Sequence, residues 1–125
     1  MILINDAKPD IPIVHPDSLR QLISNCRKSS TRFLGHPRDW SPHKIFNPEM
    51  PVGYVFSEPA AWEYMANHLA AGLPYEVIEL NEPPGALAVA MTAKLPGHSQ
   101  NLYMKIQIGT NNKAIGRSFH LSERY

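Results

Sequence analysis

Hydrophobic and polar residues alternate most strictly in the last quarter of the chain, NLYMKIQIG–TNNK–AIGRSFHLS. In the first arm Leu102, Met104, Ile106 and Ile108 interleave with Tyr103, Lys105 and Gln107. In the second, Ile115, Phe119 and Leu121 share one parity, while Gly116, Ser118, His120 and Ser122 share the other. A period of two is that of a half-buried strand, so residues 101–122 are predicted to form a β-hairpin. Asn111-Asn112 sits at its centre, and Asn tolerates the positive φ that a two-residue turn requires. Pairing Thr110 with Lys113 sets the register. Leu102 then faces Leu121, Met104 faces Phe119 and Ile108 faces Ile115 on an apolar surface. On the reverse, Tyr103 faces His120, Lys105 faces Ser118 and Gln107 faces Gly116. A slip of one residue would spoil both faces.

Upstream the period changes to that of helices. Leu19, Leu22, Ile23 and Cys26 fall at i, i+3, i+4 and i+7, one apolar stripe of a helix capped by Asp17 or Ser18 and ending near Ser29. Arg20, Arg27 and Lys28 lie on its outer face. A second helix is capped by Ser57, tolerates Pro59 in its first turn, buries Trp62, Met65, Ala66 and Leu69, and stops at Gly72. Tyr75–Leu80 and the nearly all-apolar Ala86–Lys94 read as strands around the turn Asn81–Gly85. Residues 1–16 read as an irregular arm, and residues 30–52 as a long proline-punctuated loop, with Gly53–Phe56 a short strand. Loops of that length are often functional. The expected architecture is one α+β domain over 1–125, its N-terminal helices packed on one face of a mainly antiparallel sheet of four to five strands.

Composition adds limits. Proline, 12 of 125 residues, is about twice its usual share of roughly 5%, and sits mostly in connections. Cys26 is the single cysteine, which excludes an internal disulfide and a cysteine-based zinc site. Without a signal-peptide pattern or an apolar run approaching the ~20 residues of a membrane span, a cytoplasmic location and no membrane partner are expected. Charge is segregated along the chain. Residues 18–48 carry Arg20, Arg27, Lys28, Arg32, Arg38 and Lys44 against Asp39. Residues 49–82 carry only acids, and the stretch from Lys94 onward is basic again. Such a distribution suits a polyanion-binding face with an acidic back, or simply solvated charges scattered in space.

The polar face of the hairpin is where chemistry is expected. A lysine and a histidine on adjacent strands, beside a tyrosine and serines, fit metal-independent phosphodiester cleavage. Lysine offsets charge building on the phosphate, histidine moves a proton near neutral pH, and hydroxyls hold phosphate oxygens. Arg117 suits a bidentate phosphate clamp, although its parity sets it beside Ile106 on the core side. Gly116 would leave space above the sheet for a ligand. The plain alternative is the solvated face of an ordinary antiparallel sheet. The string LYMKIQIG…AIGRSFHLSE resembles the C-terminal sheet of the MqsR and RelE ribonuclease toxins, within the barnase, EndoU, colicin-nuclease and RelE-like group. The resemblance spans residues 57–122 in layout, and in motif Tyr103-x-Lys105 and Arg117-Ser118-x-His120. Residues 1–16 and 30–52 have no counterpart in it. It implies attack by the RNA's own 2′-hydroxyl, without cofactor or metal. His120 would be general acid or base, Lys105 the transition-state cation, and Tyr103, Ser118 and Ser122 the substrate contacts. An antitoxin or immunity protein is the implied partner.

Within the loop, Arg38, Trp40, His43 and Lys44 interleave an indole with basic groups, a pattern able to stack a base and grip phosphates. Gln107 joins this substrate-binding set from the hairpin. Equally, Trp40 and Phe46 would serve to plug the loop onto the core. His36 and His43 lack a third ligand at a diagnostic spacing, so no metal site is expected. His15, His68 and His98 read as loop or helix-surface residues. No GxGxxG, P-loop or GxSxG motif is present. The first expectation is therefore a bacterial toxin endoribonuclease that binds RNA. The alternative is a non-catalytic nucleic-acid- or protein-binding accessory module of phage or plasmid type.

Overall fold

A computed structural model describes residues 13–35 and 37–122. Helix α1 spans Pro16–Cys26 and α2 spans Glu58–Ala70. The strands are β1 (Arg32–Leu34), β2 (Glu76–Asn81), β3 (Pro84–Lys94), β4 (Asn101–Ile108) and β5 (Ala114–Leu121), in one sheet of order β1-β5-β4-β3-β2. All neighbours are antiparallel except β1, which runs parallel to β5. The α+β class and the mainly antiparallel sheet are as the alternation implied. Residues 1–12, most of the expected arm, lie outside the described residues.

Both helices lie on one sheet face, where Leu22, Cys26, Trp62, Met65, Ala66 and Leu69 meet Val89, Met91, Met104, Ile106 and Phe119. Burying each large side chain contributes about 1.5–3 kcal/mol. In α2 the expected cap is present, with Ser57 Oγ accepting from the Ala60 N–H at 3.2 Å. Gly72 ends the helix at φ 77°, where a side chain would be strained. In α1 the cap is His15, not Asp17 or Ser18. Its Nδ1 accepts from the Asp17 N–H at 3.0 Å, Pro16 takes the first turn, and the helix stops at Cys26.

The stretch 30–52 is more ordered than a loop. It contributes β1 to the sheet, then the 3-10 turns Pro37–Asp39 and Pro42–Lys44. Residues 45–56 close as a ribbon, Phe46 bridging Val55 and the Phe56 N–H donating to the Ile45 carbonyl at 2.9 Å. Gly53–Phe56 is thus one arm of this ribbon, not a strand of the sheet. Trp40 is buried, 5.2 Å from the Trp62 ring and 5.7 Å from Phe119. One carboxylate satisfies both indoles: Trp40 Nε1 donates to Glu58 Oε1 at 3.0 Å and Trp62 Nε1 to Oε2 at 3.1 Å. Phe46, expected to plug the loop, is exposed.

Candidate active site

Strands β4 and β5 fix the site. At the end away from the turn the expected register holds, with Leu102 opposite Leu121, Tyr103 opposite His120, Met104 opposite Phe119 and Lys105 opposite Ser118. Leu102, Met104 and Phe119 are fully buried beneath the helices, so Tyr103, Lys105, Ser118 and His120 share the opposite face. The Tyr103 and His120 rings are 5.6 Å apart and tilted by 49°. Burial, and secondarily the Glu76 carboxylate, raises the Tyr103 phenol above its usual range, so at neutral pH it stays protonated and able to donate. His120 Nδ1 lies 3.0 Å from the Leu121 carbonyl. A carbonyl only accepts, so Nδ1 carries the proton, and in the neutral ring the lone pair is on Nε2. The side chain of Lys105, diagonal to His120 at about 7–8 Å, makes no ion pair or hydrogen bond among the described residues.

Toward the turn the register changes. Ile106 pairs with Gly116, Gln107 with Ile115 and Ile108 with Ala114, leaving Arg117 as the extra residue of a β-bulge. Three expectations are corrected together. Arg117 belongs to the polar face, where its Nη1 donates to Gln107 Oε1 at 2.8 Å, not to the core beside Ile106. Gly116 opens no space for a ligand, because a Cβ there would stand 2.8 Å from the Trp40 ring. Ala114 replaces Ile115 opposite Ile108 in the core.

Exposure sorts the candidates further. Tyr103, Lys105, Arg117 and His120 are half-buried, while Ser118 is 4% and Gln107 7% exposed. Gln107 therefore anchors Arg117, and the Ser118 hydroxyl sits in a nearly closed position. Ser122, past the end of β5, is tied by its N–H to the Asn101 carbonyl at 2.7 Å.

The chain after β1 joins the site from the side. It continues along the β5 edge, with the Gly35 N–H donating to the Gly116 carbonyl at 2.9 Å and the Ser41 N–H to the Phe119 carbonyl at 2.8 Å. An open cleft of about 550 Å³ results, lined by Arg38, Asp39, Ser41, Lys44 and Ile45 on one side and His120 and Leu121 on the other. Arg38 and Lys44 thus line the same cleft as His120, the residue that borders the sheet-face cations. Trp40 does not act as a base-stacking platform, because it is 6% exposed and its N–H is committed to Glu58. His43 is exposed but does not line the cleft, and His36 lies outside the described residues.

Residues that the linear pattern did not single out also occupy this region. Glu76 begins the cross-sheet row Glu76–Ala90–Lys105–Ser118. Its place in an alternating strand was visible in the sequence, but its neighbours two strands away were not. Asp39, Ser41 and Ile45 line the cleft only because the loop folds along β5. His68, expected at a helix surface, is 6% exposed, and its Nε2–H donates to the Pro74 carbonyl at 2.9 Å. It lines a separate cavity of about 400 Å³ with Glu49, Tyr64 and Lys94. His98 is half-buried, its ring 5.8 Å from Phe46.

Among the described residues no three His, Cys, Asp or Glu side chains converge as a metal site would need, and no helix is long and apolar enough to cross a membrane. No family model matches the chain, and no curated protein or solved structure shows significant similarity to it.

Proposed function

We propose that this protein is a metal-independent endoribonuclease of the toxin type, acting on RNA in the cytoplasm from the polar face of β4 and β5. The observation that carries the reading is the bulge at Arg117. It turns a guanidinium onto the face that already holds Lys105, Tyr103 and His120. In this mechanism the 2′-hydroxyl oxygen attacks the adjacent phosphorus. The bond from phosphorus to the 5′-oxygen breaks, leaving a 2′,3′-cyclic phosphate and a 5′-hydroxyl. His120 carries one of the two proton transfers through Nε2, a role worth about 10²–10⁴-fold in rate, and solvent water carries the other. Lys105 and Arg117 stabilise the charge on the phosphoryl oxygens, and the protonated Tyr103 hydroxyl donates to one of them. An antitoxin or immunity protein that covers this face belongs to the same proposal.

The test uses the purified chain and an end-labelled single-stranded RNA. Products with cyclic phosphate ends are expected, together with growth arrest when the chain is expressed in bacteria. His120→Ala should slow cleavage about 10²–10⁴-fold, and Lys105→Ala about 10²-fold or more, with unchanged circular dichroism. RNA that is bound in a salt-sensitive manner yet recovered intact would identify a non-catalytic binding module instead.

A further inference from the structure

We infer that the cleft along the β5 edge is a subsite for one unpaired nucleotide, and hence that the substrate class is single-stranded RNA with a base splayed out beside His120. This rests on the ribonuclease reading for the chemistry at His120, but the cleft makes its own case. Its volume of about 550 Å³ falls in the range of about 300–1,000 Å³ typical of small-ligand sites. Half-buried Leu121 gives it an apolar wall, backed from beneath by the buried Ile45 and suited to the face of a base or ribose. Arg38 and Lys44, both exposed, stand at the same cleft, their side chains without an ion pair or hydrogen bond among the described residues. Two cations against the single carboxylate of Asp39, beside an apolar wall, match a phosphate joined to a base. Asp39 repels a phosphate but accepts from a base amino group or a ribose hydroxyl, and Ser41 has no side-chain capping bond to occupy it.

Position gives the substrate class. His120 forms the boundary between the cleft and the sheet face that carries Lys105 and Arg117. A strand whose scissile phosphate lies over Lys105 would place the neighbouring nucleotide in the cleft. Bases paired in a duplex remain stacked and do not enter such a site, whereas unpaired bases are free to be splayed out and gripped.

The experiment titrates adenosine 3′-monophosphate into the full chain and follows the methyl signals of Ile45 and Leu121 by NMR. Inorganic phosphate and adenosine serve as separate probes. Both methyls should shift, and the nucleotide should bind at least tenfold tighter than either probe. Arg38→Ala/Lys44→Ala should weaken it at least tenfold without altering the fold, since both side chains are on the surface. Inorganic phosphate binding as tightly as the nucleotide, or a double variant that binds equally well, would overturn the subsite. In parallel, a single-stranded oligonucleotide and its duplex are offered as substrates. Cleavage of the single strand should be at least a hundredfold faster, and the double variant should raise KM more than it lowers kcat. Equal cleavage of both forms overturns this inference and leaves the ribonuclease standing. Nucleotide bound in the cleft with no cleavage of any RNA overturns the ribonuclease and leaves the subsite.

Discussion

Gly116 shows how a single missing methylene organises the site. The Trp40 ring and the Leu34 side chain occupy the space that its Cβ would take, at 2.8 and 3.1 Å. The flat glycine lets the indole lie against β5, and the indole in turn holds the segment that carries Arg38 and Ser41. Gly116→Ala should therefore destabilise the protein by about 1–3 kcal/mol, the usual cost of overpacking. It should also displace Trp40, visible as a shift in tryptophan fluorescence in the folded state. An unchanged denaturation midpoint would mean that the contact relaxes freely. Cys26 makes the complementary point about burial. Desolvation pushes its thiol from 9.0 up to about 12, against the lowering by Arg32 and Arg27. The folded-state value is raised, so the native chain keeps its proton where the unfolded chain loses it. This contribution to stability is complete below pH 9 and declines as pH rises toward 12, by about 1.4 kcal/mol per pH unit. Native Cys26 should react with iodoacetamide at pH 9 about a hundredfold or more slower than the same cysteine in denaturant, because the thiolate is the nucleophile. Comparable rates would show that the α1 face opens readily.

At the scale of elements, the hairpin shows which information alternation carries. Near the strand ends it placed Tyr103, Lys105, Ser118 and His120 on one face, as found. Near the turn it failed, for a physical reason that parity cannot reveal. The turn closes with the Gly109 N–H donating to the Lys113 carbonyl at 2.9 Å, so three residues, not two, lie between. Asn111 and Asn112 do take the positive φ expected, 56° and 58°. The extra turn residue shifts the pairing by one, and the bulge at Arg117 shifts it back. Two offsets of opposite sense are invisible in a pattern that scores only alternation, yet they decide where Arg117 points. The long loop was illegible for a different reason. The three residues of β1 are too few to show a period, and they gain strand geometry only by pairing with β5. On the proposed function, the bulge yields a test of coupling. Gln107→Ala should slow cleavage about tenfold by freeing the guanidinium, with KM little changed. Combined with Arg117→Ala it should add almost nothing to the loss from Arg117→Ala alone, because both remove one unit. Additive losses would mean that Gln107 acts independently of Arg117.

For the whole molecule, the two edges of the sheet are guarded differently, and this bears on where charge is placed. On the β1 side the edge is only three residues long. Lys113 lies over the Phe33 ring, 5.1 Å from its centroid, and the segment through Ser41 covers the rest of β5. On the other side β2 offers six residues with one unpaired flank, yet Val77, Ile78 and Leu80 make it a β-prone sequence. Its protection is Glu76 and Glu79, both exposed. Opposite Ala90 and Leu87 respectively, they project from the two different faces of the pleat. The acids of the middle third of the chain thus include the guards of one edge, while Arg38 and Lys44 line the cleft with His120 along β5, and Lys105 and Arg117 sit on β4 and β5. Charged residues on an edge oppose pairing with a second chain, and their loss leaves an uncharged apolar run of the kind that stacks into extended sheets. Glu76→Val/Glu79→Val converts residues 75–80 into such a run without touching the helix-covered core. The double variant should remain folded by near-ultraviolet circular dichroism but elute as dimers and larger species in size-exclusion chromatography with light scattering. Glu76→Gln/Glu79→Gln, which keeps polarity and removes charge, should fall between it and the parent. A monodisperse valine variant would show that the twist and shortness of β2, not its carboxylates, keep this edge unpaired.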